Sequence, residues 1–257
     1  MKKKCIILVF NKAYLEKAKN TINLIRDVGQ YNGDIVCIVG DDLIDMESEI
    51  VSFSKNIIYK YFPDIDRKEI IEILSKNNFD YEYSVTKNFQ FHKFYCFHPF
   101  FKENYEKCLY IDCGMQIFKP IDKIINLDCR NLLLAHSDTY PLYNFELEIQ
   151  FDKTVYEDLH SDVSEKYNLN RDYFQSTLML YDPKIILEDT LEKLIELSKV
   201  YFNSRTNDQA ILNLYFLCIR NIWQQITIND NETFYYDYTE RYYLDKSQYI
   251  MLKLSLT

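Results

Sequence analysis

The chain alternates apolar runs with amphipathic stretches. "CIILVF" (5–10) is a six-residue apolar run of the length of a buried strand. It is followed by "NKAYLEKAKNTINLIRDVG", where Tyr14, Ala18, Ile22 and Ile25 recur at helical spacing before Gly29, a residue suited to stopping a helix. "DIVCIVGDD" (34–42) predicts a second buried strand ending in glycine and aspartate. This β-α-β opening predicts an α/β fold, with a mixed, mostly parallel sheet flanked by helices.

The pattern continues to the end of the chain. "DRKEIIEILSKNN" (66–78) predicts an amphipathic helix, and "FQFHKFYCFHPFFKENY" (89–105) a helix that Pro99 bends or begins anew. "CLYIDCGMQIFKPI" (108–121) reads as strand, polar turn, strand, and "RNLLLAHSD" (130–138) as a strand. "DYFQSTLMLYDPKII" (172–186) is a strand closed by Pro183. "LEDTLEKLIELSKVYF" (187–202) predicts a helix through Leu187, Leu191, Leu194 and Ile195, and "NDQAILNLYFL" (207–217) a shorter one. The tyrosine-rich tail from Asn221 predicts alternating strand and turn. No internal repeat or low-complexity linker divides residues 1–257, so a single domain is expected.

Composition narrows the function classes. A formal charge of -9 argues against a nucleic-acid partner, since neutralising phosphates takes a surplus of Lys and Arg. The apolar run after "MKKK" is shorter than the roughly 7–15 residues of a signal peptide. No stretch approaches the roughly 20 apolar residues of a transmembrane span, so a soluble, cytoplasmic protein is expected. Seven cysteines form no C-x-x-C pair, and Cys5, Cys37, Cys108 and Cys218 lie within apolar runs, which reads as buried thiols in a reducing compartment. His92, His98, His136 and His160 show no zinc-like spacing with them. Neither G-x-G-x-x-G nor G-x-x-x-x-G-K-[ST] occurs, which disfavours dinucleotide oxidoreductases and P-loop NTPases.

Ligands of parallel sheets gather at the carboxyl ends of the strands. Asn11, Asp41 and Asp42 therefore fall near one edge, and Asp112 leaves the sheet directly after Leu109, Tyr110 and Ile111. A carboxylate in that position needs a partner, and a divalent metal bridging phosphate oxygens, or a sugar hydroxyl, would serve. Gly114 leaves room for a ligand to approach the backbone. On residue chemistry alone, the same tripeptide also reads as a solvated Asp-x-Gly turn, and Asp208 as a helix cap.

Several stretches, in order, resemble glycosyltransferase family 8, the retaining, glycogenin-like group with a GT-A (Rossmann-like) fold. "NKAY" (11–14) resembles the N-D-A-Y segment that grips uridine, and "HKFYCF" (92–97) the T-K-x-x-x-W helix. "KCLYIDCG" resembles the K-x-(V/L)-(Y/F)-(L/M)-D-A-D strand and metal motif, and "FQSTLMLYDP" (174–183) the F-N-S-G-V-(F/L)-(V/L) segment lining the donor sugar. "NDQAILN" (207–213) resembles (G/x)-D-Q-x-x-(L/F)-N and is the most specific piece, with "NIWQQI" where the family has W-x-x-L.

The resemblance implies a hexosyltransferase that takes a nucleotide sugar, UDP-glucose or UDP-galactose, to an unknown glycan, protein or small-molecule acceptor hydroxyl with retention. It implies nucleotide contacts at Phe10, Asn11, Tyr14, Lys93 and Gly114, and metal or phosphate at Asp112. Asp138, Gln175 and Ser176 fall to the sugar, and Asp208 and Gln209 to the surroundings of the anomeric carbon. Mn²⁺ or Mg²⁺ is the implied cofactor, but the chain departs from the pattern. Asp112-Cys113-Gly114 replaces D-x-D, no histidine follows His160 to supply the late H-x-x-G-x-x-K-P motif, and Thr177 fills the usual glycine. An ion held by one carboxylate should bind weakly; without one, Lys12, Lys93 or Arg205 would have to balance the leaving diphosphate, and Cys113 is a less apt soft ligand. The competing classes are a non-catalytic carbohydrate-binding or scaffolding protein of the same fold and, more remotely, a nucleotidyltransferase.

Overall fold

The structure is a computed structural model that describes residues 3–76, 88–138, 145–226, 233–236 and 249–253. A seven-stranded sheet runs β3-β2-β1-β4-β7-β6-β8, built from β1 (Lys3–Val9), β2 (Asp34–Val39), β3 (Ile57–Tyr61), β4 (Tyr105–Ile111), β6 (Leu133–Ser137), β7 (Phe174–Tyr181) and β8 (Trp223–Gln225). A three-stranded sheet runs β5-β10-β9, with β5 (Gln116–Ile117), β9 (Thr233–Tyr236) and β10 (Tyr249–Lys253). In the large sheet β7 alone is antiparallel to its neighbours β4 and β6; the other pairings are parallel. The mixed, mostly parallel α/β sheet is thus as expected.

The strands are apolar along their whole length because both faces are covered. In β1, Cys5 and Ile7 face one core cluster while Ile6 and Leu8 face the other. The first cluster takes Phe91, Phe94 and Phe97 from the aromatic stretch, with Leu194 and Ile211 from two later helices. The second takes Ala18, Ile22 and Ile25 from helix Leu15–Asp27. All eight residues of β7 are buried.

Several boundaries differ from expectation. β2 stops at Val39, and Gly40 leads into a 3-10 turn at Asp41–Leu43. Residues Phe89–Phe97 form a 3-10 helix, and Pro99 starts a separate α-helix, Pro99–Asn104, with β4 following at once. Proline fits there because a first helical residue has no use for its N–H. The helix expected from residue 187 begins at Thr190, which leaves Leu187 exposed. The predicted strands at 130–138 and 172–186 shorten to β6 and β7.

The 207–217 stretch divides into α-helix Asp208–Asn213 and a π-helical turn, Leu214–Ile219. Strand β3 and helices Glu47–Val51, Asp122–Ile125 and Glu157–Lys166 lacked a clear periodic signal. Residues 77–78 of the third predicted helix, and most of the tail, lie outside the described residues. Among the described residues no helix is long and apolar enough to cross a membrane. All seven cysteines are free and six are buried.

Helix Asp208–Asn213 is pinned to the start of β7 by one side chain. Asn213 Oδ1 accepts from Phe174 N (2.9 Å), and its Nδ2 donates to Phe174 O (2.8 Å) and Gln209 O (2.9 Å). Asn213→Leu keeps the γ-branched shape, adds some bulk and strands these backbone groups in the core. It is expected to lower stability by about 2–4 kcal/mol, read as a lower urea midpoint with unchanged slope.

Candidate active site

Strand directions place the chemistry. The carboxyl ends of β1, β2, β4 and β6 share one rim, and the reversed β7 brings its amino end to the same rim. Asn11 follows β1, Asp41 and Asp42 follow β2, Asp112 follows β4 and Asp138 follows β6. Gln175 and Ser176 open β7 between the last two, as Asp112 N donates to Thr177 O (2.8 Å) and Asp138 N to Tyr173 O (2.9 Å). The order reverses between β1 and β4, and a crevice at such a switch point is where open α/β sheets take ligands.

Lys93 is the centre of this rim. Its side chain, 10% exposed, reaches from the 3-10 helix to Asp208 Oδ2 at 2.7 Å and Asp112 Oδ1 at 3.5 Å. It also donates to Ser176 Oγ at 3.1 Å and lies 5.1 Å from the Tyr110 ring centroid. Ser176 Oγ in turn donates to Asp208 Oδ2 (2.9 Å). Asp112 further accepts from the Tyr110 hydroxyl on Oδ1 and from Lys253 Nζ on Oδ2 at 3.2 Å.

A second network adjoins the first. Gln209 Oε1 accepts from Ser176 N (3.1 Å), while its Nε2 donates to Asp138 Oδ2 (3.2 Å) and Gln150 Oε1 (3.3 Å). Gln175 Nε2 donates to the other oxygen of Asp138 at 2.5 Å, and Gln150 Nε2 donates to the Tyr173 hydroxyl at 3.1 Å. Asn207, just before Asp208, is held at φ +52°, a left-handed value that costs a non-glycine residue energy.

Burial and charge separate the three carboxyls. Burial pushes Asp112 upward, but the Lys93 and Lys253 ammoniums and the Tyr110 hydroxyl outweigh it and hold Asp112 below the usual aspartate range. Asp208 stays above that range, because burial and the nearby Asp112 charge exceed what Lys93 and Ser176 give back. Burial also raises Asp138 against its bonds from Tyr173, Gln175 and Gln209. Lys93 loses by burial and gains more from the two aspartates, so it remains charged. His92, buried against Phe89, is pushed down to about 4 by burial and is neutral at pH 7.

The other sequence-derived candidates sit as follows. Asn11 Oδ1 is buried with no hydrogen-bond partner among the described residues. Tyr14 is 42% exposed, with Lys17 Nζ 4.9 Å from its ring centroid. The Phe10 side chain is 1% exposed and belongs to the core, which leaves only its main chain for a ligand. Gly114 has φ +95°, and a Cβ there would meet nothing within 4 Å: the position needs glycine for its backbone, and space lies beside it. Its N–H donates to Thr21 Oγ1 (2.9 Å). Arg205 is turned to Asp152 (3.4 Å), and the Lys12 N–H is bound by Asp42 (2.8 Å).

The expected metal finds a poor donor set. Both oxygens of Asp112 are engaged by protein donors, Cys113 is a buried thiol whose Sγ lies 3.7 Å from Val9 O, and burial raises its pKa. Among the described residues no group of three or more His, Cys, Asp or Glu side chains could hold an ion. Lys253 and Gln150 were not anticipated. Lys253 lies in the tail, where no local pattern marks it, and Gln150 is joined to the site by contacts remote in sequence.

No protein-family model and no curated sequence matches the chain. Solved structures do. The glycosyltransferase GlyE of Streptococcus pneumoniae superposes with a TM-score of 0.54 at 16% identity over 88% of this chain, which spans only 45% of GlyE. The galactosyltransferase LgtC, solved with donor and acceptor sugar analogs, gives 0.55 at 13% identity over 97% of this chain and 86% of LgtC. Core-mannan synthase A of Aspergillus fumigatus, in a Mn/GDP form, gives 0.54 at 14% identity over 88% and 73%. The fold is that of the GT-A glycosyltransferases.

The charge arrangement is open to direct titration. The folded values of Asp138 and Asp208 lie above the ordinary value of about 3.9, so their contribution to stability is full below that value and lost as pH rises through the folded one. Asp112 acts in the opposite sense, stabilising above the ordinary value and losing that contribution as pH falls through its depressed one. NMR titration of carboxyl carbons is expected to place Asp112 below, and Asp138 and Asp208 above, the random-coil midpoint.

Proposed function

We propose that the chain is a nucleotide-sugar-dependent hexosyltransferase of the glycosyltransferase family 8 type, folded as one GT-A unit, that acts with retention. The observation that carries the reading is the meeting of Lys93, Asp112, Ser176 and Asp208, from four separate elements, at the switch-point rim. UDP-glucose or UDP-galactose is the proposed donor and a glycan, protein or small-molecule hydroxyl the acceptor. This reading accounts for the unpartnered Asn11 acceptor, which suits the N–H of a uracil ring, and for the open space beside Gly114. Phe10 (through its backbone), Asn11 and Tyr14 are assigned to the nucleoside.

The chemistry follows from the charges. When the bond between the anomeric carbon and the diphosphate breaks, its electron pair leaves with the diphosphate oxygen and positive charge develops on the sugar. The Lys93 ammonium stabilises the departing anion, and the Asp208 carboxylate stabilises the oxocarbenium-like centre. The acceptor oxygen bonds to the anomeric carbon on the face the diphosphate vacates and passes its proton to the departing phosphate oxygen. Asp138, Gln175 and Ser176 orient the sugar hydroxyls, with Gln209 locking Ser176 and Asp138 in place.

Calorimetry with UDP-glucose and UDP-galactose tests the reading: binding to at least one is expected, and absence of heat with both overturns it. Asp208→Asn is expected to cut turnover at least 100-fold while the affinity for UDP changes little. Undiminished turnover in this variant would remove Asp208 from the chemistry.

A further inference from the structure

Lys253 enters the rim in a way that an incidental surface lysine does not. Strand β10 pairs antiparallel with β5, Met251 against Ile117 and Leu252 against Gln116. Strand β5 follows the Asp112-Cys113-Gly114 turn, so this pairing fixes the last residue of β10 next to that turn. The Lys253 side chain is 14% exposed, and its Nζ sits 3.2 Å from Asp112 Oδ2. The opposite oxygen of the same carboxylate holds Tyr110 and faces Lys93.

The three carboxylates around Lys93 and Gln209 are thus committed to protein donors. Asp112 holds two ammonium groups and a hydroxyl, Asp208 holds Lys93 and Ser176, and Asp138 holds Gln175 and Gln209. A divalent cation prefers six or more oxygen ligands, several of them carboxylate or phosphate. Here it would have to displace an ammonium from Asp112, or settle beside two positive charges. An ammonium carries three N–H donors; among the described residues Lys253 Nζ donates to Asp112 alone, which leaves two for the oxygens of a phosphate at this rim.

We infer that Lys253, with Lys93 behind it, supplies the positive charge that holds the donor diphosphate, and that the site binds its nucleotide without a divalent cation. The inference rests on the proposed nucleotide-sugar reading and adds to it the identity of the counter-charge.

The test is calorimetric titration of UDP into the full chain, once with EDTA and once with Mn²⁺. The dissociation constant is expected to agree within threefold between the two. Lys253→Met, which keeps the aliphatic stem, is expected to weaken binding in EDTA at least tenfold, and Lys253→Arg to stay within threefold of the parent. In parallel, the electron paramagnetic resonance signal of free Mn²⁺ in a UDP solution is expected not to fall further when the protein is added. A tenfold or greater tightening by Mn²⁺, or unchanged binding in Lys253→Met, overturns the inference while leaving the nucleotide-sugar reading intact. No heat with UDP in either buffer overturns both.

Discussion

A buried ammonium shared between two carboxylates organises this molecule. Lys93 sits between Asp112 and Asp208, and its charge offsets much of what burial costs the two carboxylates. Removing one partner of such a buried arrangement typically costs about 3–5 kcal/mol, because the remaining charges stay behind without compensation. The ion cluster therefore binds the aromatic 3-10 helix, the end of β4, the start of β7 and helix Asp208–Asn213 to one another. The groups proposed to act on a ligand are the same groups that join these elements, which ties integrity of the fold to readiness of the site.

Much of this was legible in residue order. The apolar runs and helical spacing gave β1, β2, β4, β6, β7 and helix Leu15–Asp27, because segments buried on one or two faces carry strong periodicity. Asp112 and Asp138 were legible as strand-end acids, and Lys93, Ser176 and Asp208 through motif resemblance. That Lys93 touches Asp112, Ser176 and Asp208 at once depends on β7 running backwards between β4 and β6, which no local pattern encodes.

The remaining differences have local physical causes. Seven of the nine residues of Phe89–Phe97 are buried, the polar His92 and Lys93 among them, so no single amphipathic face distinguishes a 3-10 winding from an α-helix. Strand β3 has only its first residue fully buried, and its alternation of charge and aromatics hides it. Lys253 was invisible because its meaning comes from a strand pairing more than a hundred residues away in sequence. Phe10 shows the reverse case: it adjoins a motif, but its ring fills the core and only its main chain is left to face the rim.

The reversed course of β7 has one more effect. Since Asp138 and Tyr173 are hydrogen-bonded neighbours, the chain between them departs from and returns to a single point on the rim. Along its way this excursion is anchored by Leu147, Phe151, Val163 and Leu169 in the core and by Gln150 in the polar network beside Asp138. A change at Gln150 therefore reaches Gln209, which also holds Asp138, by a route that bypasses every strand ladder.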